Sequence, residues 1–225
     1  MKIKTILLAG IALLFVSCAR YNVIPENIAR YDKGVEILES GHPDSKVQIE
    51  ISQNTLGGLK NPPLVIYIGA QILQGPDIIL DTHNLSATQN GSKLMILTYR
   101  EILNSNYDFT SILQDFGIPT PGVSSNTNIM APIFYFGRGG FLVYNMFLNP
   151  FIIDNIQSQQ TFQEQREARK IMATNYLRKS TLSVVGKAKG GFIVISPKGI
   201  KPGTIKLEVL ITKQPHIFNI DIRKR

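Results

Sequence analysis

The chain has one candidate thiol nucleophile. Cys18 is the sole cysteine among 225 residues, and a cysteine thiolate is intrinsically a strong nucleophile. The sequence contains neither a G-x-S-x-G nucleophile elbow nor a Walker phosphate-binding loop. Residues 137–140, Gly-Arg-Gly-Gly, lack the Lys-Ser/Thr pair of such a loop and predict a turn. These patterns therefore give no support to nucleotide binding or to serine catalysis.

Carboxylates are the remaining candidates for acid–base catalysis. A general acid and a general base must both reach the reacting group of one bound substrate. Five carboxylates that could converge in the fold are Asp77, Asp81, Glu101, Asp108 and Asp115. Because the chain has 16 scattered acidic residues, we interpret most of them as helix caps or surface groups. A cell-wall-modifying enzyme with carboxylate catalysis is the weaker alternative, and we predict that the protein is not an enzyme.

The histidines give no metal-binding pattern. His42, His83 and His216 lie far apart in the sequence, and none has a partner at a spacing such as H-E-x-x-H. His83 follows Asp81 by two positions, which is typical of a turn whose polar groups are satisfied by the backbone. We predict no catalytic, cofactor-binding or metal-binding residue and no cofactor.

The first 17 residues have the pattern of a signal peptide. Lys2 and Lys4 give a positive start, and residues 6–16 are uninterruptedly apolar or small. A membrane-spanning helix needs about 20 apolar residues, and Arg20 ends this run too early. The pattern predicts export, with residues 1–17 removed.

The junction before Cys18 resembles the lipobox of bacterial lipoproteins. Val16 and Ser17 precede the cysteine as they do in that family, whereas Phe15 stands where the family usually has Leu. The resemblance covers residues 1–18 and implies cleavage before Cys18 and acylation of that cysteine, with palmitate among the chains. A lone cysteine fits this role, because it has no disulfide partner in an oxidising compartment. Two or three acyl chains anchor a protein stably, at about 0.8 kcal/mol per buried CH₂.

Residue 19 bears on the destination of the anchored protein. By resemblance to enterobacterial sorting rules, in which Asp at this position retains a lipoprotein at the inner membrane, Ala19 implies the outer membrane. Loss of Lys2 and Lys4 leaves 22 basic and 16 acidic residues, a net charge of +6. Such an excess suits anionic lipid, cell-wall polymer or nucleic acid, and export makes nucleic acid an unexpected partner.

Residues 132–153 are unusually rich in aromatic side chains, and Arg138, Asn145, Asn149 and Pro150 exclude a spanning helix there. One interpretation is a pair of buried strands joined by the glycine turn. The other is an aromatic surface that docks to a partner or dips into lipid headgroups. The candidate contact residues in this segment are Phe134, Phe136, Phe141, Tyr144 and Phe147.

The next segment predicts an amphipathic helix over 161–179. Thr161 and Glu164 have the spacing of a capping box. Its outward face is basic, and three residues of that face are further candidates for partner contact: Arg166, Arg169 and Lys170. The usual role of such a charged face is simply to be solvated.

Most of the remaining pattern is that of strands. Period-two alternation of Val47, Ile49 and Ile51 with polar residues predicts a half-buried strand. The alternation is clearest in residues 205–211 and 218–222, which predict a terminal antiparallel pair of strands. Asn90-Gly91 predicts a hairpin turn followed by an apolar strand over 94–99, and residues 109–116 predict a short helix. We expect a lipidated cysteine and tether over 18–45 and one mostly-β domain over 46–225. The predicted fold is an antiparallel β-sandwich, for which an immunoglobulin-like form is one option, with a helical insertion; the alternative is a layered α+β fold.

These patterns predict a membrane-anchored envelope lipoprotein that acts as a structural or protein-interaction module. Its partners would be the membrane, through the acyl chains on Cys18, and another envelope protein. A carrier of an apolar ligand, with the aromatic segment lining a pocket, is the main alternative.

Overall fold

The structure, a computed structural model, describes residues 20–58, 61–120, 134–142 and 160–225. The predicted signal peptide and Cys18 lie outside these ranges. Within them the strands are β1 Arg20–Pro25, β2 Arg30–Asp32, β3 Val35–His42, β4 Ser45–Ile51, β5 Thr55–Gly57, β6 Leu64–Ile72, β7 Ile78–Leu80, β8 Leu85–Gln89, β9 Ser92–Lys93, β10 Ser180–Leu182, β11 Lys189–Ile195, β12 Gly203–Leu210 and β13 Pro215–Lys224. The helices are α1 Tyr99–Asn104, α2 Thr110–Asp115 and α3 Gln160–Thr174.

The pairing of β12 with β13 shows how alternation in the sequence becomes a sheet. Successive side chains of a strand point to opposite faces, so apolar residues two apart share one face. The antiparallel register places Ile205 opposite Ile220 and Leu207 opposite Phe218, and all four side chains are buried. The predicted terminal antiparallel pair is confirmed.

Two antiparallel sheets form the body of the protein. The six-stranded sheet has the order β5-β1-β13-β12-β8-β9, and the five-stranded sheet has the order β11-β6-β4-β3-β2. Branched side chains from both inner faces, including Ile49 of β4 and Leu207 of β12, form one buried cluster between them. The predicted antiparallel β-sandwich with a helical insertion is confirmed. Its sheets hold more strands than the about seven to nine of immunoglobulin domains.

The helices form a third layer on the outer face of the five-stranded sheet. Apolar residues of α1, α2 and α3 pack with the outward side chains of β3, β6 and β11 in a second buried cluster, which includes Ile102, Leu113, Met172, Tyr67 and Phe192. The predicted helix over 109–116 is confirmed as α2. Strand β4 was expected to be half-buried, with polar residues facing solvent. That expectation is wrong, because Gln48 and Glu50 are fully buried where residues 134–142 cover this face and bond to both side chains.

The predicted tether over 18–45 is wrong for the described residues 20–45. Strand β1 pairs with β13, with Val23 opposite Ile222, and β3 pairs with β4. Val23, Val35 and Ile37 are buried in the two clusters. Burial of these apolar side chains offsets the entropy of ordering the segment, so the folded domain includes residues 20–45.

The chain after the Asn90-Gly91 turn also differs from its prediction. Both turn residues have positive φ, 50° and 75°, as a type I′ hairpin requires. Strand β9 then ends at Lys93, and α1 begins at Tyr99. Thr98 and Glu101 cap this helix reciprocally, which stabilises a turn of helix where the apolar run 94–99 had predicted a strand.

Candidate functional site

The described part of the aromatic segment, residues 134–142, is an irregular stretch that contains no strand. The interpretation of the segment as paired strands is therefore wrong over these residues. Phe134 and Phe136 are 43% and 44% exposed, whereas Tyr135 between them is buried. The two phenyl rings are neighbours, with centroids 6.3 Å apart. The segment thus presents an aromatic pair to solvent and inserts one tyrosine into the protein.

The ring of Tyr135 packs in the cluster between the helices and the five-stranded sheet. Its centroid lies 4.9 Å from that of Tyr67, 5.6 Å from that of Phe116 and 5.3 Å from that of Phe192. Its backbone N–H donates to Asn175 Oδ1 at 2.6 Å. Both the ring and the backbone of Tyr135 are therefore fixed.

A buried carboxylate, Glu50, holds the segment to the sheet. The Tyr135 hydroxyl donates to Glu50 Oε2. The Arg138 backbone N–H and Gln48 Nε2 both donate to Glu50 Oε1, at 2.6 and 2.8 Å. Three donors thus converge on the two oxygens of one side chain, so Glu50 is the main polar attachment point of the segment.

The two ends of Arg138 bind different elements. Its guanidinium donates through Nη2 to the Phe116 carbonyl at 2.6 Å, at the C-terminal end of α2, and lies 3.6 Å from Asp32 Oδ2. Its own carbonyl accepts from Arg30 Nη2 at 2.7 Å. Because the side chain is buried, these contacts compensate for the loss of its hydration.

Burial has the largest effect on the pKa values of Glu50, Tyr67 and Tyr135. It raises the pKa of Glu50, and the hydrogen bonds from Tyr135, Arg138 and Gln48 only partly oppose that rise. Burial, with the Glu50 charge, also raises the pKa of the Tyr135 and Tyr67 hydroxyls. Both tyrosines are therefore protonated, and Tyr135 serves as a donor.

Glycine is required where the segment touches the sheet. Gly137 has φ of 84°, and a Cβ on it would lie 2.5 Å from Leu142 Cδ1 and 2.9 Å from Glu50 Oε1. Gly140 has φ of 64°, and its Cβ would lie 2.7 Å from Gln48 Oε1. The predicted turn is confirmed, with the Leu142 N–H donating to the Gly139 carbonyl at 3.1 Å. The glycines allow the backbone to approach Glu50 closely.

The other predicted contact residues are not all brought together. Phe141 is partly buried against the second cluster, and Tyr144 and Phe147 lie outside the described residues. Arg166 and Lys170 are exposed on α3, where Lys170 pairs with Glu167 at 2.6 Å. Arg169 is half-buried, and its Nη1 is 3.4 Å from the Tyr107 carbonyl oxygen.

The helix that carries these basic residues is shorter than predicted. It begins at Gln160, which places Thr161 in its first turn, and it ends at Thr174 instead of residue 179. The reason is a competing partner: the Leu177 N–H donates to the Phe192 carbonyl at 2.9 Å, and the Phe192 N–H donates to the Asn175 carbonyl at 2.7 Å. Residues 175–177 thus bond to the edge of β11.

A second polar cluster, which no sequence pattern predicted, lies at the end of the sandwich formed by the β3–β4 and β12–β13 hairpins. The rings of His42 and His216 lie 4.3 Å apart. His216 Nε2 is 3.0 Å from Ser45 Oγ, and its Nδ1 is 2.9 Å from Ser40 Oγ. The residues are 171 and 176 positions apart in these two pairs, so no local spacing could reveal them.

The pair of Ser45 and His216 resembles a nucleophile and its base in distance only. Both residues are fully buried, so a substrate cannot reach the serine. Burial, with the charge of His42, lowers the pKa of His216 to about 4, whereas an efficient general base has a pKa near the working pH. This cluster is a polar joint between the sheets.

Three of the five candidate carboxylates, Asp81, Glu101 and Asp108, accept hydrogen bonds within turns or at helix starts. Asp81 accepts from the His83 N–H at 2.8 Å, which confirms the turn predicted there, and Asp108 accepts from the Thr110 N–H at 3.0 Å at the start of α2. Hydrogen bonding with backbone N–H groups lowers the pKa of Asp81 and of Glu101. Both are therefore ionised at neutral pH, and neither is poised as a general acid.

An open groove of about 420 Å³ lies between β8, β9 and the chain around Tyr176. Leu94, Met95 and Ile96 supply its apolar lining, and Thr82, Thr98 and Lys93 supply polar groups. Asp81 and Glu101 both raise the pKa of Tyr176 through their charge, after the larger effect of burial.

In the described ranges, no group of three or more His, Cys, Asp or Glu side chains is arranged to hold a metal ion. No helix of these ranges is long and apolar enough to cross a membrane. No protein-family model matches the chain, and no curated protein or solved structure matches it either.

Proposed function

We propose that the protein is an envelope lipoprotein, anchored to the outer membrane by acyl chains on Cys18, whose sandwich binds another envelope protein. The observation that carries the binding role is the exposed pair Phe134 and Phe136 on a segment that Glu50 clamps. The lipobox-like junction and the lone Cys18 support the anchor.

A clamped aromatic pair has the properties of a binding hot spot. Phenylalanine is enriched in interfaces, and few residues supply most of the binding free energy. A segment that is ordered before binding loses little conformational entropy on association. The hydrogen bonds to Tyr135 and Arg138 give this preorganisation, so the expected partner has an apolar pocket for one or both phenyl rings.

The alternatives receive less support from the same residues. An apolar-ligand carrier would enclose Phe134 and Phe136, yet both are more than two-fifths exposed. An enzyme with carboxylate catalysis would need one carboxyl that keeps its proton beside a cleft, and the carboxylates that influence the groove through Tyr176 have lowered pKa values.

The anchor is tested by intact mass and detergent partitioning of the native protein beside a Cys18→Ala variant. We expect only the wild type to carry the mass of acyl chains and to enter the detergent phase, because two or more chains anchor stably. If both proteins stay aqueous and unmodified, the anchor is refuted.

The binding role is tested with the partner that co-purifies with the acylated protein after membrane solubilisation. The purified partner is titrated against the wild type, a Phe134→Ser/Phe136→Ser variant and a control, Leu210→Ser/Ile217→Ser, whose residues are similarly exposed at 47% and 46%. We expect about a tenfold or greater loss of affinity for the first variant alone. Equal affinity of all three proteins would refute the proposed surface.

A further inference from the structure

We infer that the end of the sandwich from which β1 starts lies against anionic phospholipid headgroups, a statement that rests on the proposed acylation of Cys18. Strand β1 begins at Arg20, two positions after Cys18 in the sequence. Two residues span at most about 7 Å. The anchoring cysteine is therefore tied within that distance of a fixed point of the fold.

Arg20 is fixed by pairing on both sides. It lies opposite Gly57 of β5, and its carbonyl accepts from the Arg225 N–H at 3.0 Å. The neighbouring Tyr21 lies opposite Lys224 of β13. An acylated Cys18 consequently has no long tether that would let the sandwich move away from the membrane.

The same end gathers positive charge from other parts of the chain. Gly203 lies opposite Ile222, which brings the loop 196–202 beside residues 223–225. Six exposed basic side chains lie at this end of the sandwich, which we call the basic end: Arg20, Lys198, Lys201, Arg223, Lys224 and Arg225. They come from three separate segments of the sequence, so the patch is a product of the fold.

Negative charge is scarce at the basic end. The described loop residues 57–58, 61–63, 90–91, 196–202 and 223–225 include no acidic residue. The β2–β3 turn at the same end is flanked by Asp32 and Glu36, and Asp32 Oδ2 lies 3.6 Å from the Arg138 guanidinium. Asp221 lies just inside and pairs with Arg223 at 2.7 Å. The opposite end of the sandwich carries both signs, with Asp44, Asp77 and Lys213.

A membrane that contains anionic lipid fits this pattern better than a neutral surface. Basic groups near such a membrane are attracted by its negative surface potential, and the attraction acts over a Debye length of about 8 Å at physiological ionic strength. The short link from Cys18 holds the basic end in that range. The β3–β4 and β12–β13 hairpins then point away from the lipid.

The test reconstitutes the acylated full-length protein in vesicles with nitroxide-labelled headgroups. Acylation occupies the Cys18 sulfur, so a reporter fluorophore is attached to a single new cysteine. Ser92→Cys places it at the basic end and Gln214→Cys places it at the opposite end, both at exposed positions. Intact mass confirms the acyl chains before any quenching is measured.

In vesicles with anionic lipid at about 0.1 M salt, we expect the reporter at position 92 to be quenched at least about twofold more than the reporter at position 214. This difference should shrink at about 1 M salt, because salt screens the attraction between the basic end and the lipid. A variant with Gln at 198, 201, 224 and 225 should lose most of the difference. A control with Gln in place of the exposed lysines 46, 179, 187 and 213 has the same net charge and should keep it.

Equal quenching of the two reporters in acylated protein would overturn the inference and leave the anchor standing. The same difference in zwitterionic vesicles and in the 198/201/224/225 variant would also overturn it, because the link alone would then set the orientation. An unmodified Cys18 in the mass spectrum would refute the anchor itself and this inference with it.

Discussion

The Tyr135 hydroxyl donates a hydrogen bond to the Glu50 carboxylate, joining residues 85 positions apart in the chain. The bond lies in the buried layer between the five-stranded sheet and the helices. The Arg138 N–H donates to the same carboxylate. Glu50 of β4 therefore positions the segment that carries the exposed Phe134 and Phe136.

Removal of the Glu50 carboxylate should be costly. Glu50→Ala would leave the buried donors of Tyr135, Arg138 and Gln48 without their acceptor, and we expect the free energy of unfolding to fall by about 3 kcal/mol. Glu50→Gln retains an acceptor oxygen and should change it by about 1 kcal/mol or less. Urea unfolding monitored by circular dichroism measures both.

A matched control is Glu26→Ala, because Glu26 is exposed and surface substitutions usually change stability by about 0.5 kcal/mol or less. If Glu50→Ala proved as mild as Glu26→Ala, the carboxylate would not be the attachment point of the segment.

The raised pKa of Glu50 also sets a direction for pH dependence. The folded state keeps the Glu50 proton to higher pH than the unfolded chain, whose glutamates titrate near about 4.3. The contribution of Glu50 to stability is therefore greatest below that pH and is lost as pH rises through the folded-state pKa. We expect wild-type stability, measured relative to Glu50→Gln, to fall as pH rises above about 4.3; a constant or rising difference would contradict this.

Local periodicity explains which parts of the fold could be predicted. The pairing of β12 with β13 and the Asn90-Gly91 turn follow from residues close in sequence, and both were predicted correctly. The capping pair Thr98 and Glu101 was also present in the sequence. The apolar run 94–99 favoured a strand, and α1 was therefore not predicted.

The candidate site depended on contacts that no local pattern contains. Alternation in β4 indicates that Gln48 and Glu50 share a face, but their burial depends on residues 134–142, about 90 positions later. The aromatic pair could be named from composition, whereas its exposure beside a buried Tyr135 required the fold. His42 and His216 meet for the same reason, since neighbouring hairpins bring them together.

The backbone at Gly137 gives a second prediction about the clamp. Gly34 has the same φ of 84° but open space around its Cβ position, whereas a Cβ at Gly137 would overlap Leu142 and Glu50. Ala at either position adopts a left-handed conformation at about 1 kcal/mol or more. We expect Gly137→Ala to cost about 2 kcal/mol beyond Gly34→Ala because of the overlap.

The measurement is again chemical unfolding, with hydrogen exchange of the Arg138 amide as a local readout. Loss of protection at Arg138 in Gly137→Ala alone would place the effect at the clamp. Equal costs for the two alanine variants would show that the segment moves freely away from the sheet.

The buried His216 should make the joint between the hairpins sensitive to acid. Its folded pKa of about 4 lies below the ordinary value of about 6.5, so the unfolded chain binds the additional proton between these values. The contribution of His216 is fully present above about pH 6.5 and is lost as pH falls towards 4, by up to about 3 kcal/mol.

His216→Gln should lack this component of the pH dependence, whereas His83→Gln, at an exposed position, should retain it. Unfolding at pH 7 and at pH 4.5 compares the variants, and the NMR titration of the His216 ring decides the cause: titration near pH 6.5 would contradict the prediction.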